Sequence, residues 1–203
     1  MVPDHSELPL GVTLSGQEQQ DLSSLQGARQ ASFRRSRLWM RRCLADRFDL
    51  DPADVPLAAP PGAPPTLPPG WGWISLSHCP DVVAVVWSSQ PVGVDVERLD
   101  RRLAAAALAR RFFAPGDCQE LKPLEGESLR GAVLQQWVAK EAAIKWQRGT
   151  LAKDLGQWSC TAEDLTARHA KGRWEVPVCR IRFSPWLVAV AGGDGHIGPV
   201  CLA

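Results

Sequence analysis

Apolar and polar positions along the chain change their period several times, and each change predicts an element. Between Ala28 and Phe48 the residues Phe33, Leu38, Met40, Leu44 and Phe48 recur at helical spacing among arginines, which predicts a basic amphipathic helix ending before Asp51-Pro52. Eight of the eighteen residues from Pro52 to Pro69 are proline, which forbids regular helix or a central strand and predicts an extended, semi-rigid connector. Three β-like runs follow, Trp73 to Ser77, Val82 to Ser88 and Val92 to Glu97, parted by short polar or proline-containing turns. Together they predict a small antiparallel meander.

The second half repeats the order. Arg101 to Phe113 is alanine-rich and helical, stopped by Ala114-Pro115-Gly116, after which Asp117 is placed to cap a short helix. A long helix is expected from Ser128, as its cap, to Trp146, bounded by Gly149. Strand-like runs return at Trp174 to Val178, Cys179 to Phe183 and Leu187 to Ala191. Helix followed by strands, twice, predicts an α+β fold of two similar halves, residues 1–100 and 101–203.

Composition narrows the class. The 203 residues carry a net charge of +1, which argues against a surface built for nucleic acid, although basic residues cluster between Arg29 and Arg47 as a local anion site would require. Six cysteines at positions 43, 79, 118, 160, 179 and 201 form no C-x-x-C pair, so reduced thiols are expected. The segment Met1 to Glu7 lacks the basic-then-apolar pattern of a leader, and no uncharged apolar run approaches 18 residues. A cytoplasmic protein with no membrane or nucleic-acid partner is expected.

Two short motifs carry candidate chemistry. In Gly93-Val94-Asp95-Val96-Glu97, strand alternation puts Val92, Val94 and Val96 on one face and both carboxylates on the other. Alone, the pair reads as the wet face of an antiparallel strand or as half of a divalent metal site. In Trp137-Val138-Ala139-Lys140-Glu141-Ala142-Ala143-Ile144-Lys145, the residues Trp137, Glu141 and Lys145 are spaced four apart and share a helix face, with Lys140 on another side. That motif alone reads as an ordinary surface ion pair or as an aligned acid and base.

The two motifs in this order, about forty residues apart, resemble the signature of the 4′-phosphopantetheinyl transferases, approximately G-[IV]-D-x-E then W-x-x-K-E-[AS]-x-x-K. The resemblance is to the single-chain, two-subdomain group of the surfactin synthetase activator type. It implies two pseudo-twofold-related subdomains with the active site at their interface. It also implies transfer of the phosphopantetheine arm of coenzyme A to a serine of an apo acyl or peptidyl carrier protein, with release of adenosine 3′,5′-bisphosphate. Asp95, Glu97 and Glu141 would hold Mg²⁺, with Mn²⁺ able to replace it, and Glu141, directly or through a metal-bound water, would accept the serine proton. Lys145 would contact the phosphates.

The same resemblance extends upstream. His78 matches the family's Ser-His step and would meet the 3′-phosphate of coenzyme A beside Ser77, and Arg37, within a pattern like A-R-x-x-[LM]-R, would face the adenosine end. One departure stands out: where the family has G-K-P, this chain has Gly62-Ala63-Pro64, so a phosphate-contacting lysine is missing at Ala63, and Ser75 and Cys79 replace commonly flanking residues. A monomer is expected, with Arg101, Arg102, Arg110 and Arg111 and the apolar Phe112-Phe113 as a carrier-docking patch. The rival readings are a metal-dependent nucleotide or coenzyme A pyrophosphohydrolase and a non-catalytic binding module of the same fold.

Overall fold

The computed structural model describes residues 8–171, 174–194 and 201–202; the segment Met1 to Glu7 lies outside them. As expected, the chain is α+β, and it divides into two compact units, one formed by Met1–Pro91 with Asp194–Ala203 and one by Val92–Gly193. Pro91 and Val92, rather than residue 100, therefore mark the change of unit, because the strand beginning at Val92 pairs within the second unit.

The first unit begins with helix α1, Gly16–Ser23, closed at its N-terminus by a reciprocal capping box between Ser15 and Glu18. Helix α2, Gly27–Phe48, is the predicted basic helix and ends at Asp49, whose left-handed φ of 54° stops it ahead of Pro52. Strands β1, Trp73–Cys79, and β2, Val82–Ser88, form a hairpin, and β8, Cys201–Leu202, adds to β2 through Ala84↔Leu202 and Val85↔Cys201. Met40, Leu44, Ile74, Val83 and Val85 make the core between helix and sheet.

The proline-rich segment is part of that core. Val55, Leu57 and Ala59 are buried in it, and Ala58 bridges Thr66. Eight prolines remove eight N–H donors, so the segment cannot pair its own carbonyls by a regular ladder, and arginines of α2 pair several of them. Arg37 donates to the carbonyls of Ala59 and Pro60, while Arg41 reaches those of Pro52 and Val55 and forms a 2.7 Å ion pair with buried Glu18. Arg35 likewise closes the hairpin turn by donating to Cys79 and Pro80. The basic face of this helix is thus substantially structural, because a guanidinium fork supplies several donors at once.

The second unit holds a five-stranded antiparallel sheet in the order β3-β7-β6-β5-β4, with β3 Val92–Arg98, β4 Trp158–Ser159, β5 Thr166–His169, β6 Glu175–Phe183 and β7 Trp186–Gly192. The three-stranded meander is corrected here: β3 does not extend the β1-β2 hairpin but pairs with β7 along its whole length, Gly93 opposite Ala191, Asp95 opposite Ala189 and Glu97 opposite Leu187. The two runs expected at 174–178 and 179–183 are one continuous strand.

Helices α3, Ala105–Phe112, α4, Pro115–Leu121, α5, Gly126–Gln147, and α6, Leu151–Asp154, complete the unit. The backbone cap of α5 is Glu125 rather than Ser128, and the helix closes at Arg148, with φ of 60°. Helix α5 buries Leu134, Val138, Ala139, Ala142, Ala143 and Ile144 against Val176, Val178, Leu187, Ala189 and Ala191 of the sheet. Alanines on both sides let helix and sheet approach closely. Gly93 extends this further, since a Cβ there would collide with the Ala142 carbonyl oxygen and the Trp146 amide nitrogen. No described helix is long and apolar enough to cross a membrane.

Candidate active site

The close approach at Gly93 decides what happens to the carboxylates. Gly93, Asp95 and Glu97 lie on one face of β3 by alternation. Gly93 meets the backbone of α5, so Asp95, two residues on, is carried against the same helix. Asp95 is only 3% exposed, so its strand face is covered rather than wet. One of its oxygens accepts from Lys145 Nζ at 2.7 Å. Glu97 accepts from the guanidinium of Arg101, four residues on, and that guanidinium also lies over the Trp137 ring with its carbon 5.8 Å from the centroid. The predicted helix face of Trp137, Glu141 and Lys145 is therefore real, and it is turned toward β3.

Glu141 is the exception in this cluster. It is half-buried, and no described residue gives it a hydrogen bond or ion pair. Burial, then the negative charge of Asp95 and more weakly of Glu97, push its carboxyl up to about 8 against the opposing pull of Lys145 and Arg101. Three acids face two bases, and the least compensated acid is the motif glutamate.

That imbalance bears on the expected metal. A donor set made wholly of carboxylates suits a hard divalent cation, and an unpartnered carboxyl whose charge is disfavoured is a place where added positive charge is favourable. The residues thus fit such an ion by their chemistry. Among the described residues, however, no three His, Cys, Asp or Glu side chains converge closely enough to hold one as they stand, because Lys145 and Arg101 draw Asp95 and Glu97 to themselves. Arg101 belongs to this cluster, a placement that its position in an arginine pair did not reveal.

Lys140, adjacent to Glu141 in the motif, has a different role. It is fully buried, and its ammonium donates to Asp117 while lying 3.8 Å from the centre of the Phe113 ring. Asp117 accepts in turn from Ser159 Oγ, so one buried network joins α4, α5 and β4. Burial lowers the Lys140 pKa against the raising effect of Asp117. Lys140 fixes α5 to α4 and β4 from a different side of the helix than the one that carries Glu141 and Lys145.

The first unit carries the remaining candidates in a cleft of about 1050 Å³ lined by the start of α2, by Pro61 and Gly62, and by the end of β1. His78 is exposed there, its Nε2 3.4 Å from Ser32 Oγ. Ser77 is buried and points away from His78 by strand alternation; it does not line the cleft. Arg37 lines it, yet its guanidinium is spent on the carbonyls of Ala59 and Pro60 and on Ser36 Oγ, stacked 4.0 Å over the Phe33 ring. The expected docking patch divides: Phe113 is core and Arg101 pairs with Glu97, whereas Arg102, Arg110, Arg111 and Phe112 are exposed.

Comparison with known proteins gives a consistent result. The model of the 4′-phosphopantetheinyl transferase superfamily matches residues 91–197, which include the whole carboxylate cluster. A putative 4′-phosphopantetheinyl transferase of Synechocystis sp. is 32% identical over 117 residues, 56% of this chain and 48% of that protein. Two proteins of Bacillus subtilis bearing the name 4′-phosphopantetheinyl transferase are 24% and 25% identical, covering 62% and 59% of this chain and 55% and 53% of their own lengths. The chain thus spans about half the length of the curated relatives it matches.

Proposed function

Because this chain belongs to the 4′-phosphopantetheinyl transferase superfamily, we propose that it moves the phosphopantetheine arm of coenzyme A onto a serine of an apo acyl or peptidyl carrier protein. The observation that supports this most is the pairing of Asp95 with Lys145 beside an uncompensated Glu141, all three within the matched region. In this reading the serine oxygen forms a bond to the β-phosphorus of coenzyme A. The bond from that phosphorus to the bridging oxygen breaks, and adenosine 3′,5′-bisphosphate leaves with the electron pair.

The residues divide the work. Asp95, Glu97 and Glu141 would hold Mg²⁺, which when bound neutralises charge on the pyrophosphate. Lys145, a compact cation partly exposed beside Asp95, binds a phosphate oxygen and favours the charge that develops on the leaving group. Glu141 would accept the serine proton at a carboxylate oxygen, directly or through an intervening water. His78, exposed in the cleft of the first unit, donates to the 3′-phosphate of coenzyme A. Arg37 and Ser77 stay outside the proposal, since one is committed to backbone carbonyls and the other is buried away from the cleft.

Chromatographic analysis of coenzyme A incubated with the protein and Mg²⁺ tests this reading. Adenosine 3′,5′-bisphosphate should form only when an apo carrier is present. Its formation without any carrier would make the protein a pyrophosphohydrolase instead.

A further inference from the structure

Two cations serve the carboxylate cluster of the second unit, and they are held on unequal terms. Lys145 donates to Asp95 at 2.7 Å, and the Asp95 side chain is only 4% exposed, so that pair is closed in where β3 meets α5. Arg101 pairs with Glu97 nearer the surface, its side chain 38% exposed and that of Glu97 18%. An ion pair with so much water at one partner is weak and exchanges readily. The backbone of Arg101 is nevertheless fixed. Its amide donates to the Arg98 carbonyl at 3.1 Å, and its carbonyl accepts from Arg130 Nη1 at 3.1 Å. Its guanidinium carbon also lies 5.8 Å from the centre of the Trp137 ring, an aromatic face that the guanidinium keeps when it lets Glu97 go.

The Glu97 carboxylate therefore has two claimants, since the oxygens that accept from Arg101 are the ones a divalent cation would take. Charge favours an exchange between them. The carboxylates of Asp95, Glu97 and Glu141 balance Lys145 together with one divalent ion, which leaves the Arg101 guanidinium in surplus. The other two acids have no such choice to make. Asp95 is enclosed with Lys145, and Glu141 has no described partner to give up. Glu97 is thus the movable acid of the three, and Arg101 is what holds it.

We propose that Arg101 is an internal competitor for Glu97, a restraint that holds this carboxylate back from the metal and thereby sets how tightly a divalent ion binds. The inference rests on the transferase reading only for the assignment of Asp95, Glu97 and Glu141 as metal ligands. Arg101 is a positioning residue that acts through Glu97; it has no part in the phosphoryl-transfer step.

Titration of the full chain with Mn²⁺ alone, with free Mn²⁺ read by electron paramagnetic resonance, tests it in wild type, Arg101→Ala, Arg101→Gln, Glu97→Gln and the double variant Glu97→Gln with Arg101→Ala. Both single Arg101 variants should bind Mn²⁺ about 3- to 10-fold more tightly than wild type, the size expected for releasing an exposed ion pair and removing a neighbouring positive charge. In the Glu97→Gln background the loss of Arg101 should gain no more than about twofold, because no carboxylate is left to release. Unchanged or weaker binding without Arg101 overturns the inference. So does equal tightening with and without Glu97, which would make Arg101 a charge that repels the metal through space. Carrier modification by wild type is measured alongside, so that a failed Mn²⁺ pattern with carriers still modified leaves the transferase reading standing. A wild type that binds no Mn²⁺ overturns the inference, and one that also modifies no carrier overturns the reading with it.

Discussion

Two glycines of the second unit should respond to the same substitution with opposite signs. At Gly93 an added methyl collides with backbone atoms of α5, the Ala142 carbonyl oxygen and the Trp146 amide nitrogen, which cannot rotate away as a side chain would. Strand and helix must then part by roughly 1 Å, which forfeits a quarter to a half of the dispersion energy of each facing pair. Overpacking of this kind costs about 1–3 kcal/mol, and a backbone-against-backbone clash belongs at the upper end. For a chain of this size that corresponds to a melting temperature lowered by about 6–12 °C. At Gly131, inside α5, a Cβ meets nothing within 4 Å, so Gly131→Ala should gain about 0.5–1 kcal/mol of helix propensity and raise the melting temperature by about 1–4 °C. Calorimetric melts of the two variants side by side are the assay. Gly93→Ala should also separate Asp95 from Lys145, now 2.7 Å apart, and so depress transfer beyond what the lost stability explains. A Gly93→Ala protein melting within about 2 °C of wild type would refute the close-approach argument.

Other outcomes follow from the charges. The Glu141 carboxyl is held at about 8, above its unfolded value of 4.5, so the folded state binds the extra proton between those values and stability falls as pH rises through that window. In a chelating buffer Glu141→Gln should therefore be more stable than wild type by about 1–3 kcal/mol at pH 7, with the difference vanishing below pH 4.5; denaturant titrations giving a pH-independent difference would contradict this. Lys140→Met should cost about 3–5 kcal/mol because it leaves Asp117 buried without its cation, and Lys140→Met combined with Asp117→Leu should cost less than the two single changes together. Equal additivity in the double-mutant cycle would mean that the pair is not coupled. Asp95→Ala should reduce transfer more than Glu97→Ala, measured as initial rates under saturating Mg²⁺, because Asp95 contacts Lys145 while Glu97 is held by Arg101. A greater loss from Glu97→Ala would reverse the ranking of the two acids.

Periodicity made the two long helices and the longer strands legible, since α2, α5 and the runs at 82–88 and 92–97 follow directly from spacing, whereas the short helices α1 and α6 show no such period. Pairing was less legible. Alternation predicts a strand at Val92–Arg98 but says nothing about its partner, and the β3–β7 ladder joins residues about a hundred positions apart. The short strands at 158–159 and 166–169 are too brief to show a period at all. Burial of the basic helix was hidden for a related reason: arginine reads as a surface residue until the proline-rich segment beside it is seen to need donors. Within the candidate site, helical spacing aligned Glu141 with Lys145, while only the family resemblance joined Asp95 to them. Arg101 and the burial of Lys140 depend on contacts with Glu97 and Asp117 that no local pattern encodes.

We propose that phosphopantetheine transfer to carrier proteins depends on Asp95, Glu141 and Lys145, and intact-mass spectrometry of apo acyl and peptidyl carriers incubated with this protein, coenzyme A and Mg²⁺ decides it. The expected result is a gain of one phosphopantetheinyl group on a carrier serine, abolished by Glu141→Ala and strongly reduced by Asp95→Ala. No gain on any of several carrier types, from a folded protein with coenzyme A still intact, would contradict it.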